Sequence, residues 1–221
     1  MSQDNLQFVT CPHCHQTTAA EPLAVIREGT SDVDSLFDGS LNRFTCTECQ
    51  QSFLFEGPLL YRDDAQRFIA YYLPKALVAN LDDALQQMDK LYQSIFGEFE
   101  AEERPTCRLA TQRGHFIEKI AVHQFEYDDR IIEYTKYLLF QHNKGLDAVR
   151  HELLFDFGNS DDENIMFLAY SREQGKPEYS LGLTVEDYQE LEESMFATPE
   201  MEAQLEGLFR PYLVSVDDLL K

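Results

Sequence analysis

Apolar residues recur at intervals of three and four along one stretch of the chain, at Leu81, Ala84, Leu85, Met88, Leu91, Tyr92, Ile95, Phe96 and Phe99. This is the period of an amphipathic helix. Asn80 can cap its start, and Asp82 and Asp83 suit the positive end of the helix dipole. Phe116, Ile117, Ile120, Ala121 and Gln124 predict a second helix. Ile131, Ile132, Thr135, Leu138 and Leu139 predict a third, starting at Asp128-Asp129 and stopping before Gly145. The pattern then changes to strands at Leu153 to Phe157, Ile165 to Tyr170 and Tyr179 to Leu183, joined by Gly158-Asn159-Ser160-Asp161-Asp162 and Gly175-Lys176-Pro177, which are hairpin-like turn sequences. Thr184, with Asp187 three residues on, opens a helix to Met195, and Thr198-Pro199 opens another.

Ahead of residue 80 the pattern is short and β-like. Leu6 to Thr10, Leu23 to Arg27, Asn42 to Thr45, Ser52 to Phe55 and Phe68 to Leu73 are rich in strand formers and are punctuated by Pro22, Gly29, Gly39, Gly57, Pro58 and Pro74. Ser31, three residues before Asp34, is placed to cap one short helix ending near Phe37. The expected fold class is α+β, with a β-rich module over residues 1–80 and a helical and antiparallel β region over 81–221. The boundary is expected near Asn80.

Composition narrows the function. The 221 residues hold 18 Lys and Arg against 40 Asp and Glu, a formal charge of −22, and residues 81–221 carry 13 of those bases and 30 of those acids. A charge of this sign repels phosphate, so direct nucleic-acid binding and adhesion to anionic membranes are not expected. The 16 Phe and 11 Tyr exclude the low-hydrophobicity signature of disorder. Met1-Ser2-Gln3-Asp4-Asn5 shows no basic, then apolar, secretory leader, which makes a cytoplasmic protein the expectation. The longest near-apolar runs fall far short of the roughly 18 residues of a membrane span.

Four of the five cysteines form two CxxC pairs, Cys11-Pro12-His13-Cys14 and Cys46-Thr47-Glu48-Cys49. Two residues between cysteines make a tight knuckle whose amides point at the sulfurs, and two knuckles supply the four thiolates that tetrahedral zinc prefers. Cys11, Cys14, Cys46 and Cys49 are therefore the expected metal ligands, and zinc the expected metal. The 31 residues between the pairs exceed the common spacing of roughly 15–20, so an insertion must sit between the knuckles, which the strand and short helix read above can fill.

Rival readings of this pattern are weaker. The CPHC sequence also occurs in thiol-disulfide oxidoreductases, but these place the nucleophilic cysteine at a helix N-terminus, and His15-Gln16-Thr17-Thr18 carries no helical stripe. Structural disulfides do not suit a cytoplasmic chain. Four thiolates close a zinc site and leave no position for substrate or water, so the metal is expected to be structural. His13 and His15 read as solvated or supporting residues. Lone Cys107 reads as a small buried hydrophobe. The pairs His115/Glu118 and His123/Glu126 share a HxxE spacing and read as surface pairs on a helix. The acid pairs Asp63-Asp64, Asp128-Asp129, Asp161-Asp162 and Asp217-Asp218 read as turns and helix starts.

The knuckles, together with Leu36-Phe37-Asp38-Gly39-Ser40-Leu41-Asn42, Pro58-Leu59-Leu60-Tyr61-Arg62-Asp63 and Tyr71-Tyr72-Leu73-Pro74, resemble the CpXC domain family, a group of prokaryotic proteins named for such cysteine motifs. The likeness covers residues 8–75, and Asp128-Asp129-Arg130-Ile131-Ile132-Glu133 looks like the C-terminal region of longer members. The second knuckle departs from the pattern, with Thr47 in place of proline and Gln50 where zinc knuckles usually have glycine. The family has no assigned activity, so the resemblance implies a zinc-bound, zinc-ribbon-like fold and no substrate. The expected function is a zinc-stabilised, non-catalytic adaptor or regulator that binds another macromolecule. The alternative is an enzyme whose active site lies in the C-terminal region. The acidic runs Glu98 to Glu103 and Glu186 to Glu193 read first as solvated faces. They read second as a dock for a basic protein surface, with Phe99 or Tyr188 as its apolar anchor.

Overall fold

The structure is a computed structural model and describes residues 6–221. It is α+β, with strands β1 (Gln7–Thr10), β2 (Thr17–Ala20), β3 (Val25–Arg27), β4 (Arg43–Thr45), β5 (Ser52–Leu54), β6 (Leu59–Asp63), β7 (Phe68–Tyr72), β8 (Thr106–Ala110), β9 (His151–Phe155), β10 (Asn164–Ser171) and β11 (Pro177–Thr184). The helices are α1 (Ser31–Phe37), α2 (Leu81–Phe96), α3 (Arg113–Gln124), α4 (Asp129–His142), α5 (Val185–Met195) and α6 (Pro199–Gly207). Two compact units divide the chain between Ile117 and Glu118, inside α3.

In the first unit, β1 and β2 form one antiparallel hairpin, with Phe8 opposite Ala19, and β4 and β5 form a second, with Phe44 opposite Phe53. A separate four-stranded sheet runs β3-β6-β7-β8, parallel at both edges and antiparallel in the middle. Strict alternation buries Leu59, Tyr61 and Asp63 of β6 and Phe68, Ala70 and Tyr72 of β7 on one face. Asp63 is tolerated there because its carboxylate accepts the amides of Ala65 and Gln66, closing the turn into β7. The ring of Tyr72 lies 5.8 Å from that of Phe116.

The expected boundary near Asn80 differs from the division after Ile117. The reason is β8, which pairs with β7 in the register Phe68 to Thr106 through Tyr72 to Ala110 and so returns the chain to the first sheet after α2. Asn80 does cap α2, accepting the amides of Asp82 and Asp83 at 2.9 and 3.3 Å. Helix α1 starts where Ser31 indicated, but its N-cap is Thr30, which makes no side-chain capping bond; the Thr30 hydroxyl donates instead to Arg27 O at 2.7 Å.

The second unit contains an antiparallel sheet in the order β11-β10-β9, whose buried alternation places Leu153, Phe155, Ile165, Phe167 and Ala169 inward. Asp128 caps α4, Thr184 and Asp187 form a reciprocal capping box at α5, and Thr198 caps α6 with Pro199 in its first turn. Asp161 accepts the amides of Glu163 and Asn164 in the β9–β10 turn. No helix among the described residues is long and apolar enough to cross a membrane.

Candidate metal centre

Each CxxC pair sits at the turn of one hairpin, and the two turns have the same backbone. In the first, the Cys11 amide donates to Gln16 O and the His15 amide to Cys11 O, both at 2.9 Å. In the second, the Cys46 amide donates to Gln51 O and the Gln50 amide to Cys46 O, both at 3.0 Å. The residue after the second cysteine is left-handed in both, with φ 61° at His15 and 59° at Gln50. This is the position where glycine is expected, because a Cβ there is strained. Gln50 recovers part of that cost by donating its amide to Thr47 O at 2.9 Å.

The two hairpins bring the four predicted ligands together. The sulfurs of Cys11, Cys14, Cys46 and Cys49 all lie within 4.8 Å of one another. The cross-knuckle distances are 3.7 Å for Cys11 to Cys49 and 3.6 Å for Cys14 to Cys46. Four thiolates at about 2.3 Å around a tetrahedral ion have edges of about 3.8 Å, so the spacing fits a metal ion held by all four. Cys11 and Cys46 are fully buried, packed with Val9, Ala20 and Phe53, while Cys14 and Cys49 are partly exposed. The apolar wall shields the Cys11 and Cys46 sulfurs from water.

The sulfur chemistry also fits a cation. Amides of Cys49 and Glu48 hold the Cys46 thiol down to about 6, against burial. At Cys14 the Gln16 amide favours the thiolate, but burial and the three neighbouring sulfurs push the thiol up to about 12. Cys49 is raised as well: the Gln51 amide favours its thiolate, and burial and the Cys46 and Cys11 sulfurs outweigh that. One thiolate forms readily and the next are resisted by its charge, an opposition that a bound dication removes.

The chain after Cys14 enters strand β2, so the knuckle lacks the helix N-terminus that an activated CPHC thiolate requires. His13 and His15 are exposed, outside the sulfur cluster. Cys107 is buried in β8, where burial raises its thiol to about 11.

The first HxxE pair, His115/Glu118, is not a surface bridge, whereas Glu126 of the second is exposed. Glu118 is 3% exposed and accepts Lys136 Nζ at 2.7 Å and the Phe155 amide. Glu133 takes Lys136 and Lys119 on one oxygen, at 2.9 and 3.1 Å, and the Val216 amide on the other at 2.8 Å. Lys119 also meets Asp129 at 3.0 Å. Acid and base thus alternate through Glu118, Lys136, Glu133, Lys119 and Asp129, all buried. Sequence reading missed this cluster because Glu118 and Lys119 are neighbours in α3 and Asp129, Glu133 and Lys136 recur one helical turn apart in α4, patterns that solvated helices also show.

A pair of cysteine knuckles on two β-hairpins, with insertions between and after them, defines a metal-binding module of the zinc-ribbon kind. The family model described as CpXC protein matches residues 3–136, more than half of the chain, and the chain belongs to that family. The match extends past the knuckles through α3 and to Lys136 in α4. No curated protein and no solved structure gives a significant match.

Proposed function

We propose that the chain is a zinc-stabilised, non-catalytic adaptor or regulatory protein of a prokaryotic cytoplasm that binds another macromolecule. The observation that supports this reading is the ligand set. Cys11, Cys14, Cys46 and Cys49 would occupy all four positions of a tetrahedral ion, so the metal would fix the two hairpins and offer no open position for a reaction. When bound, zinc supplies a fourfold cross-link between hairpins that share no strand pairing.

Two measurements test the two halves of the reading. Elemental analysis of the purified chain is expected to give one zinc per chain. Cys11→Ser is expected to unfold the hairpins, since such a site contributes ~10–16 kcal/mol, comparable with or exceeding a domain's usual net stability. An intact, metal-free protein would overturn the zinc assignment. Affinity capture of the tagged chain from its host is expected to return a specific macromolecule that is lost on chelation. Recovery of the zinc-loaded chain alone would overturn the adaptor reading and leave the zinc assignment standing.

A further inference from the structure

Helix α2 does not contain one fully buried residue, although apolar side chains line one of its faces. Leu81, Ala84, Met88, Leu91 and Ile95 follow steps of three and four, the spacing with which one helix packs along another. The inner flank of this stripe is engaged: the Tyr92 hydroxyl donates to Pro105 O at 3.0 Å, and the Tyr92 and Phe96 rings are 5.3 Å apart. The outer ridge is open in its C-terminal half, while Leu81, Ala84 and Met88 are half-buried. Leu91 is 50% and Ile95 51% exposed, and Leu77 before the helix and Phe99 after it are exposed by 59% and 47%. A helix of 16 residues is marginal in water by itself and draws most of its stability from packing an apolar face.

Charge decides what covers the ridge. Asp82 and Asp83 stand at one end, and Glu98, Glu100, Glu102 and Glu103 stand just beyond the other; all six are exposed, and against them stand only Lys90 and Arg104, the latter half-buried with its guanidinium on the Gly97 and Phe99 carbonyls. A second copy in parallel would set Asp82 and Asp83 against themselves. A second copy in antiparallel would set them against the four glutamates. An anionic lipid surface meets the same repulsion. We propose that α2 is the docking surface for a helix of a partner protein that carries its own apolar ridge with Lys and Arg toward its ends. The inference rests on the reading of the chain as a binding protein. The apolar ridge supplies affinity, and the acidic ends supply orientation and speed of association. Tyr188, the other anchor considered from sequence, is 2% exposed and is not available; its hydroxyl accepts the Asp128 amide and donates to Glu192.

The test uses the full metal-loaded chain and three synthetic peptides of three heptads each. One has Leu at a and d with Lys at the flanking positions, one has Glu at those positions, and one is a scramble of the Lys peptide. Fluorescence anisotropy is expected to show binding of the Lys peptide only, weakening roughly tenfold from low to high salt. Leu91→Gln with Ile95→Gln, both at half-exposed positions, is expected to weaken it at least about tenfold with helix content unchanged by circular dichroism. A second variant, with Glu98, Glu100, Glu102 and Glu103 all changed to Gln, is expected to flatten the salt dependence. Equal binding of the scramble, or unchanged binding by the Leu91/Ile95 variant, would overturn the inference. So would a wild-type dimer that the Leu91/Ile95 variant dissociates, which would make a second copy the occupant. A macromolecule captured equally from host lysate by wild type and by this variant would also overturn it, while the adaptor reading would survive.

Discussion

Asn42 shows how a single side chain can replace a strand. Its backbone is left-handed, φ 60°, at the end of the Asp38-Gly39-Ser40-Leu41 turn, and its amide both donates to Leu23 O and accepts from Leu23 N at 2.8 Å. It thereby gives Leu23 the two hydrogen bonds of a sheet neighbour, while its own carbonyl accepts the Phe55 amide. Asn42→Ala leaves the Leu23 groups without these partners and is expected to cost about 2–3 kcal/mol in denaturant unfolding. Full stability with loss of partner capture would instead make the turn a recognition surface. At His15 the direction reverses. Its amide donates to Cys11 O within the knuckle, and its φ of 61° is strained by the Cβ. His15→Gly is therefore expected to raise the stability of the metal-loaded protein by about 1 kcal/mol, read as a higher Tm. Gln50→Gly should gain less, because it forfeits the bond to Thr47 O.

Helices α3 and α4 are held to each other and to the rest of their unit by the buried acid and base alternation. Lys136 satisfies both Glu118 and Glu133, and Lys136→Met would leave two buried carboxylates short of a cation, at an expected cost of about 3–5 kcal/mol. Burial opposes the charge on Glu133, but Lys119, Lys136 and the Val216 amide outweigh it and bring its carboxyl down to about 2. A carboxyl lowered in the folded state contributes its stability above the ordinary value near ~4.3, and that contribution drains away as pH falls through about 2. Burial likewise opposes the charge on Lys136, and Glu118 and Glu133 outweigh it, so Lys136 is raised and its contribution is lost only above the ordinary lysine range. Calorimetric stability of this unit is expected to be flat between roughly pH 5 and 10 and to fall on the acid side, with Lys136→Met flattening the acid limb.

These elements also show what a sequence discloses. Caps and turns were legible because their chemistry is local: Asn80, Asp128, Thr184 with Asp187, and Thr198-Pro199 all do what their types and spacing indicate. The strand β2, Thr17-Thr18-Ala19-Ala20, was hidden because its inward residues are only Thr18 and Ala20, small enough to fit beside a sulfur cluster. The β6 strand was masked by the Pro58 that precedes it and by Asp63, an acid on its buried face. For Glu118, Lys119, Glu133 and Lys136, the facing helix that buries them is a property of tertiary packing and leaves no periodic trace.

At the scale of the whole molecule, the cysteine cluster was the most legible feature and the division of the chain the least. The four cysteines announce themselves by spacing, and the structure brings their sulfurs together across 31 intervening residues. The boundary near Asn80 followed the change of period at α2, but strand pairing outweighs periodicity there: β8 belongs to β7 despite the helix between them. A chain cut after Asn80 would leave the edge of β7 unpaired, with Ile69 and Tyr71 on an open strand. That fragment is expected to self-associate in gel filtration even with zinc bound, whereas one that continues through Ala110 should show protected β7 amides in hydrogen exchange.

The same pairing sets a schedule on the ribosome. Both knuckles have been made by Cys49, so an ion can gather the hairpins while most of the chain is still unwritten. Strand β7 then ends at Tyr72, and β8 begins only at Thr106. At about 5–20 residues per second, the nascent sheet spends several seconds with one side bare. The helix made during that interval, α2, is the one that carries the open apolar ridge. The interval of greatest hazard for this protein therefore falls after its metal centre can form and before its first sheet can close, and the acids of Asp82, Asp83 and Glu98 to Glu103 emerge within it to keep neighbouring nascent chains apart.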